Sequence, residues 1–263
     1  MDTMKIAWFS AGITSAIACK LAVEQFDDVE LYYIHISSAH RDNARFISDC
    51  EKWIGKEIHI VTNVKGYKDQ FDVIRHAKYV NGPHGARCTL ELKKNVRRNL
   101  EDDLQPDNQI FGFEYSQSEI NRAIRFKEQH PHTNPLFPLI DRKLTKNECA
   151  GIIQAAGIEM PAMYKLGYNN NNCIGCVKGG KGYWNKIRED FPGVFKEMAE
   201  VEREVGATCL KDTDGSIYLD ELNPTEGYTP NPIIPDCGMF CQVEFAHLMD
   251  DRVKLIMEGK INI

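Results

Sequence analysis

The sequence lacks any hydrophobic run long enough to cross a membrane. None of the apolar stretches among its 263 residues approaches the ~20 residues that a bilayer-spanning helix needs. It also lacks a basic leader with an apolar core before its first predicted strand. From these two absences we expect a cytoplasmic protein with no membrane partner.

The sequence has no excess of positive charge either. It carries 32 basic and 38 acidic side chains, a formal net charge of −6, whereas a protein that wraps nucleic acid is usually strongly basic. The local run Lys-Lys-Asn-Val-Arg-Arg at 93–98 is more often a solvated helix face than a binding surface, although it could contact phosphates. A nucleic-acid partner is therefore compatible with the sequence but not indicated by its net charge. The sequence is also compatible with a homo-oligomer.

The first half of the chain alternates between β-rich apolar runs and stretches with helical periodicity. The apolar runs lie at 4–9, 29–36 and 57–62. Strands that alternate with helices usually pair in parallel, with helices on both faces of the sheet. The sequence predicts an α/β fold with an open, mostly parallel sheet over residues 1–140, and a smaller, mainly helical or irregular region that bears cysteines over residues 141–263.

The second half carries weaker strand signals. Thr145, followed three residues later by Glu148, has the pattern of a capping box and predicts a helix start. Residues 130–138 and 161–167 predict irregular connections, and residues 209–235 predict a loop or flap.

The turn between the first predicted strand and helix is the most distinctive stretch. It consists of Ser10, Ala11, Gly12, Ile13, Thr14 and Ser15. Such a turn leaves backbone N–H groups unpaired at the positive end of a helix dipole, where a phosphate fits, and its three hydroxyls could add hydrogen bonds. An ordinary strand–helix turn with a Ser/Thr cap has the same pattern, so the turn alone leaves both interpretations open.

Nine cysteines are many for a chain expected in the cytoplasm, where structural disulfides are rare. Cys173 and Cys176 have C-x-x-C spacing, Cys237 and Cys241 have C-x-x-x-C spacing, and Cys88 is a fifth candidate ligand. Two such pairs could supply four thiolates to Zn²⁺ or to an iron–sulfur cluster if they meet in space. A redox dithiol, or cysteines buried as small apolar side chains, are the alternatives. Burial is expected above all for Cys19, Cys50 and Cys149.

Five separated motifs can be considered together: S-A-G-I-T-S at 10–15, R-C-T-L-E-L-K at 87–93, G-F-E-Y-S-Q-S-E-I-N-R-A at 112–123, P-L-F-P-L-I at 135–140, and the segment 157–176 that ends in C-I-G-C. In this order they resemble the motifs of the phosphoadenosine-phosphosulfate reductase family, within the wider PP-loop ATP pyrophosphatase group. The resemblance covers roughly the first two thirds of the chain and fades in the last third.

The resemblance implies an adenine-nucleotide α-hydrolase-like fold in which ATP or an adenylyl sulfate lies over the first turn, and Mg²⁺ could accompany it. Lys93 or Lys94, together with Arg122, would neutralise phosphate or sulfate. Some family members carry a [4Fe-4S] cluster beside the nucleotide, and Cys88 and the C-x-x-C pair match the cysteines that hold it, so Cys88 is also a candidate catalytic residue. The implied nucleotide-binding residues are those of the turn with Ile36, Ser37, Ser38, Gly112 and Glu114.

The chain also departs from the family pattern. Ala11 replaces a glycine, which places a Cβ where a positive φ can be needed, and Thr14 stands where ATP-using relatives often carry Asp. Three functions remain open. The first is an enzyme that adenylates a substrate with release of pyrophosphate. It would accept or deliver sulfur at the cluster, and the sequence does not identify the sulfur donor or acceptor. The second is a reductase of adenylyl or phosphoadenylyl sulfate, and the third is an adenine-nucleotide-binding protein without turnover.

Overall fold

The computed structural model describes residues 4–82, 85–213 and 215–236. Its centre is a five-stranded sheet in which every strand pairing is parallel. The strands are β1 (Lys5–Phe9), β2 (Val29–Ile34), β3 (Ile58–Val61), β4 (Asn108–Ile110) and β5 (Pro135–Leu136). A separate antiparallel hairpin consists of β6 (Leu210–Asp212) and β7 (Gly215–Ile217).

The strand order of the central sheet is β3-β2-β1-β4-β5. The chain therefore adds β2 and β3 on one side of β1 and then crosses to the other side. Ala7 of β1 accordingly pairs with Leu31 of β2 and with Ile110 of β4. This reversal makes the carboxyl ends of β1 and β4 a switch point, where ligands bind in open parallel sheets. The predicted α/β fold with a parallel sheet is confirmed.

Helices connect the strands and make up most of the second half. They are α1 (Ile13–Gln25), α2 (Asn43–Ile54), α3 (Gln70–Ala77), α4 (Arg87–Thr89), α5 (Asn95–Leu104), α6 (Gln117–Gln129), α7 (Pro138–Asp141), α8 (Lys146–Ala155), α9 (Ala162–Lys165), α10 (Lys181–Asp190) and α11 (Pro192–Val205). A π-helical turn at Leu90–Lys94 joins α4 to α5. None of the helices in the described part of the chain is both long and apolar enough to span a membrane.

The predicted capping box of α8 is confirmed. The Thr145 hydroxyl accepts a hydrogen bond from the Glu148 N–H at 3.3 Å, and the Glu148 carboxylate accepts one from the Thr145 N–H at 2.8 Å. Two N–H groups that the first helical turn leaves unpaired are satisfied in this way. The start of α8 is thereby fixed next to the switch point.

Helices lie on both faces of the sheet because side chains alternate along each strand. Ala7 and Phe9 of β1 point into a core that α1, α2 and α8 share. Trp8, between them, points the other way and packs with Phe111 and with Phe126 of α6. The face that carries Trp8 therefore lies under α6.

A second core forms away from the sheet. Phe71 of α3, Trp184 and Ile187 of α10, and Met198 of α11 are all buried in it. The first core includes residues on both sides of position 140, since α8 packs against α1. The expected division of the chain at residue 140 stays a prediction.

Three segments predicted to be irregular contain regular structure. Residues 130–138 include β5, whose Pro135 has no N–H to donate and is tolerated at a sheet edge. Residues 161–167 include the single turn α9, and residues 209–235 include the hairpin β6–β7. These elements are two to four residues long, too short to show a hydrophobic period.

Candidate functional site at the carboxyl ends of β1 and β4

The turn at 10–15 lies directly after β1, at the switch point. Ala11 has a φ of 57°, in the left-handed region, so the position does require the conformation that glycine adopts most easily. The methyl group of Ala11 is fully buried in the first core. The Ala11 carbonyl accepts a hydrogen bond of 2.6 Å from the side chain of Asn171, a residue 160 positions later in the sequence. This contact holds the turn.

Ser15 fixes the shape of the turn. Its hydroxyl donates to the Gly12 carbonyl at 2.8 Å and accepts from the Ser10 N–H at 2.9 Å. Ser15 is 3% exposed, whereas Ser10 is exposed and Thr14 is half-buried. Of the three hydroxyls that the sequence suggested for phosphate, those of Ser10 and Thr14 are therefore more accessible, and that of Ser15 organises the turn.

A cavity of about 640 Å³ lies beside the turn, between the carboxyl end of β4 and the start of α6. Gly112 lets β4 approach the turn closely, because a Cβ there would lie 2.7 Å from the Ser15 Cα. Three cationic side chains line the cavity, namely Lys93, Arg122 and Lys146. A cavity with this lining and the amino end of α1 can hold an anion as large as a triphosphate.

Two carboxylates line this cavity, Glu114 and Glu119, and Glu119 pairs with Arg122 at 3.1 Å. Glu114 lies deeper. One of its oxygens is buried and has no hydrogen-bond partner among the described residues. Burial raises the pKa of Glu114 and lowers the pKa of nearby Lys146, although each charge acts on the other in the opposite sense. The Lys146 ammonium donates to Asn170 at 2.8 Å. Burial therefore favours the neutral form of each group, and the charge of the other group opposes it.

A smaller cavity of about 100 Å³ continues from the turn to the ends of β1 and β2. Ile36 lines it, as predicted for an adenine site, together with Tyr33, Lys93 and Cys173. Ser37 and Ser38 follow Ile36 but do not line this cavity: the Ser37 N–H donates to the Lys68 carbonyl, and the Ser38 hydroxyl donates to Gln70.

The cysteines Cys88, Cys173 and Cys176 lie in one neighbourhood beside these cavities. Cys88 and Cys173 pack on the same apolar cluster as Ile36. Burial, and then the charges of the other two thiols, raise the pKa of Cys88 to about 11. Burial is also the main cause of the raised pKa of Cys176, and the Cys173 charge adds to it.

Whether these thiols fit a metal can be tested on the described residues. The donor type and the neighbourhood suit a thiolate-bound ion or cluster. However, no group of three or more His, Cys, Asp or Glu side chains within 4–82, 85–213 and 215–236 is arranged to hold a metal ion. Cys237 and Cys241 lie outside the described residues. The arrangement of the described part therefore does not by itself form a metal centre.

Cys19, Cys50 and Cys149 are buried in the first core, as predicted. No role was predicted for Cys209, whose pKa is raised mainly by burial and then by the charge and hydrogen bond of Glu202, with a smaller part from Cys176. Lys146 was not predicted either, because it reaches the cavity only through the packing of α8 against α1.

The sheet order and the close-packed turn define an α/β protein with a cavity lined by three cations at the switch point of a parallel sheet. Residues 5–179 match the model of the phosphoadenosine phosphosulfate reductase domain, and the chain belongs to that family. The resemblance predicted from the sequence is thus confirmed. Members are typically enzymes that act on sulfur nucleotides, which supports an enzymatic role here. A comparison with curated proteins found no match.

Proposed function

We propose that this protein binds ATP over the turn at 10–15 and uses it to adenylate a substrate. A substrate oxygen would attack the α-phosphorus, the bond to the bridging oxygen would break, and pyrophosphate would leave with the electron pair. A sulfur nucleophile would then add to the activated centre, and AMP would leave. The supporting observation is that the large cavity at the turn and the smaller cavity that contains Cys173 share Ser10 and Lys93, so a nucleotide and a thiol would meet.

The side chains around the cavity have separate tasks in this proposal. Lys93, Arg122 and Lys146 would neutralise the charge that develops on pyrophosphate, and the N–H groups at the start of α1 would bind its oxygens. Glu114 fits Mg²⁺, because that ion takes one or two carboxylates together with substrate phosphates. When bound, Mg²⁺ would neutralise part of the phosphate charge.

We also propose that a [4Fe-4S] cluster, or Zn²⁺ as the alternative, is held by Cys88, Cys173, Cys176 and one of Cys237 and Cys241. The support for it is that the charges of Cys173 and Cys176 act on Cys88. The three thiols are not arranged to hold an ion among the described residues, so they would have to come together around the group, with the fourth ligand from outside those residues. When bound, the cluster would supply a sulfur carrier or a Lewis acid. Anaerobically prepared protein should contain iron and sulfide, and Cys176→Ser should lose them. Full metal content in that variant would contradict the ligand role.

ATP affinity and pyrophosphate release test the nucleotide part of the proposal. Lys93→Ala should weaken ATP binding about tenfold, since it removes a charge-assisted contact. Lys52→Ala, which changes an exposed side chain on α2, should leave the affinity unchanged. Equal ATP affinity in wild type and Lys93→Ala would contradict the proposed site. Firm ATP binding without pyrophosphate release, with any acceptor tried, would instead favour a binding protein without turnover.

The family itself favours a second candidate, the reductase of adenylyl or phosphoadenylyl sulfate. The same cations could bind a sulfate as well as a phosphate. Sulfite formation from adenylyl sulfate with a thiol reductant would support this function. Pyrophosphate release from ATP in the absence of sulfite formation would support the adenylating enzyme.

A further inference from the structure

A third cavity, of about 340 Å³, also contains Lys93 in its lining but does not include the turn at 10–15. We name it the basic cavity. Trp8 on the sheet forms one wall, and residues of the π-helical turn, α5 and α6 form the others. Five cationic side chains line it, namely Lys93, Lys94, Arg97, Arg122 and Arg125. Because the whole chain has a net charge of −6, this concentration of positive charge is local.

Most of these cations have no carboxylate partner. Arg122 pairs with Glu119 at 3.1 Å, and within the described part of the chain the other four form no ion pair. Arg97 is half-buried, and its Nε atom is buried without a hydrogen-bond partner among the described residues. The pKa of Lys94 is lowered, mainly by burial and then by the positive charges of Arg97 and its neighbours.

Holding unpaired cations against one another costs folding free energy, and proteins accept such costs mainly at functional sites. A bound anion would remove the cost here. The cavity is far larger than a single phosphate and is within the range of ligand sites. Its walls include the rings of Trp8 and Phe126, and Arg97 packs 5.0 Å from the centre of the Phe126 ring.

Cations along two helices with aromatic rings between them are typical of surfaces that bind single-stranded nucleic acid, where phosphates contact the cations and bases stack on the rings. We propose that the basic cavity binds a single-stranded nucleic acid, with its phosphates on Lys94, Arg97 and Arg125 and a base against Trp8 or Phe126.

The basic cavity and the cavity at the turn share Trp8, Lys93 and Arg122. A bound strand would therefore place one nucleotide unit beside the ATP phosphates. That this strand is the acceptor for adenylation rests on the proposed function, whereas its binding to the basic cavity does not.

Fluorescence anisotropy with the full chain tests the proposal, using a fluorescein-labelled single strand of about 12 nucleotides, as RNA and as DNA, within known site sizes. Three or four phosphate contacts predict a slope of log affinity against log salt of about −2 to −3. Arg125→Ala and Lys94→Ala should each weaken binding about tenfold and reduce the slope by about 0.7. Lys127 is an exposed cation on α6, like Arg125, but it does not line the cavity. Lys127→Ala should change neither the affinity nor the salt slope.

Three results would overturn the proposal. Equal losses in Arg125→Ala and Lys127→Ala would move the binding away from the cavity. Poly-glutamate that binds as tightly as the strand would show a general preference for polyanions. Adenosine 3′,5′-bisphosphate that binds through Arg125 and Lys94 while the strand does not would assign the cavity to a mononucleotide. ATP affinity, measured in parallel, should be the same in Arg125→Ala and in wild type. If wild type bound no ATP, that result would count against the proposed function and not against binding of the strand.

Discussion

Gly112→Ala tests whether close packing of β4 against the turn at 10–15 matters for nucleotide binding. An alanine Cβ at this position would lie 2.7 Å from the Ser15 Cα and 2.9 Å from the Thr14 carbonyl carbon. Both atoms belong to the backbone, so no side-chain rotation can relieve the contact. The start of α1 would have to move by about 0.7 Å, from 2.7 Å to the 3.4 Å at which ordinary contact begins.

The size of the effect follows from this displacement. Overpacking of a well-packed contact usually costs about 1–3 kcal/mol of unfolding free energy, and we expect Gly112→Ala to fall in that range. The same shift would move the N–H groups of α1 and strain the hydrogen bonds of Ser15. Displacements of about 1 Å can reduce catalytic rates a hundredfold. Because the displaced N–H groups are the ones proposed to bind the phosphates of ATP, we expect ATP affinity to fall at least tenfold.

Urea unfolding and isothermal titration with ATP measure the two effects. Gly193→Ala is the matched control, because no atom lies within 4 Å of its added Cβ and it lies inside α11, where alanine is the better helix former. The control should keep both ATP affinity and stability. Reasoning from the packing would be refuted if Gly112→Ala were as stable as wild type. A destabilised variant with full ATP affinity would instead separate the turn from the nucleotide.

Two further changes probe the same site. Asn171→Ala removes the side chain that donates to the Ala11 carbonyl at 2.6 Å and should lower the unfolding free energy by about 1–3 kcal/mol; an unchanged urea midpoint would show that this contact does not hold the turn. Glu114→Gln should flatten the pH dependence of stability. The pKa of Glu114 is raised in the fold, so its contribution is present below the ordinary glutamate pKa and is lost as pH rises through the raised value. If the unfolding free energy of wild type and of Glu114→Gln changed with pH in the same way, the raised pKa of Glu114 would be contradicted.

The sheet could be predicted because β1 to β3 carry their own signal. Each is an apolar run next to a helical period, and burial of such runs decides the pairing. The π-helical turn at Leu90–Lys94 could not be predicted in the same way. It differs from an α-helix only in hydrogen-bond register, which leaves no mark on hydrophobic periodicity.

The candidate site could be predicted only where one short segment defines it. The turn at 10–15 is such a segment: its motif marked it as a candidate, and its role in binding phosphate stays a prediction. The contact of Asn171 with Ala11 joins residues 160 positions apart, and the position of Lys146 depends on how α8 packs against α1. Side chains that reach a site through tertiary packing have no local pattern, so nothing in the run of four asparagines at 169–172 shows that one of them contacts Ala11.

Ala11 is, with Thr14, a departure from the family pattern that leaves turnover open, and the cost of its backbone conformation can be compared with what its burial returns. A left-handed conformation costs an alanine about 1–2 kcal/mol. Full burial of the methyl group in the first core returns about 0.8 kcal/mol of that cost. The hydrogen bond from Asn171 to the carbonyl of residue 11 would form with glycine as well and does not enter the comparison. Alanine therefore holds the turn in its observed shape at a net cost of about 1 kcal/mol relative to glycine, which is small beside the stability of a domain. The replacement of glycine is thus no argument against an anion site, and the question of turnover moves to Glu114, one oxygen of which is buried without a hydrogen-bond partner among the described residues.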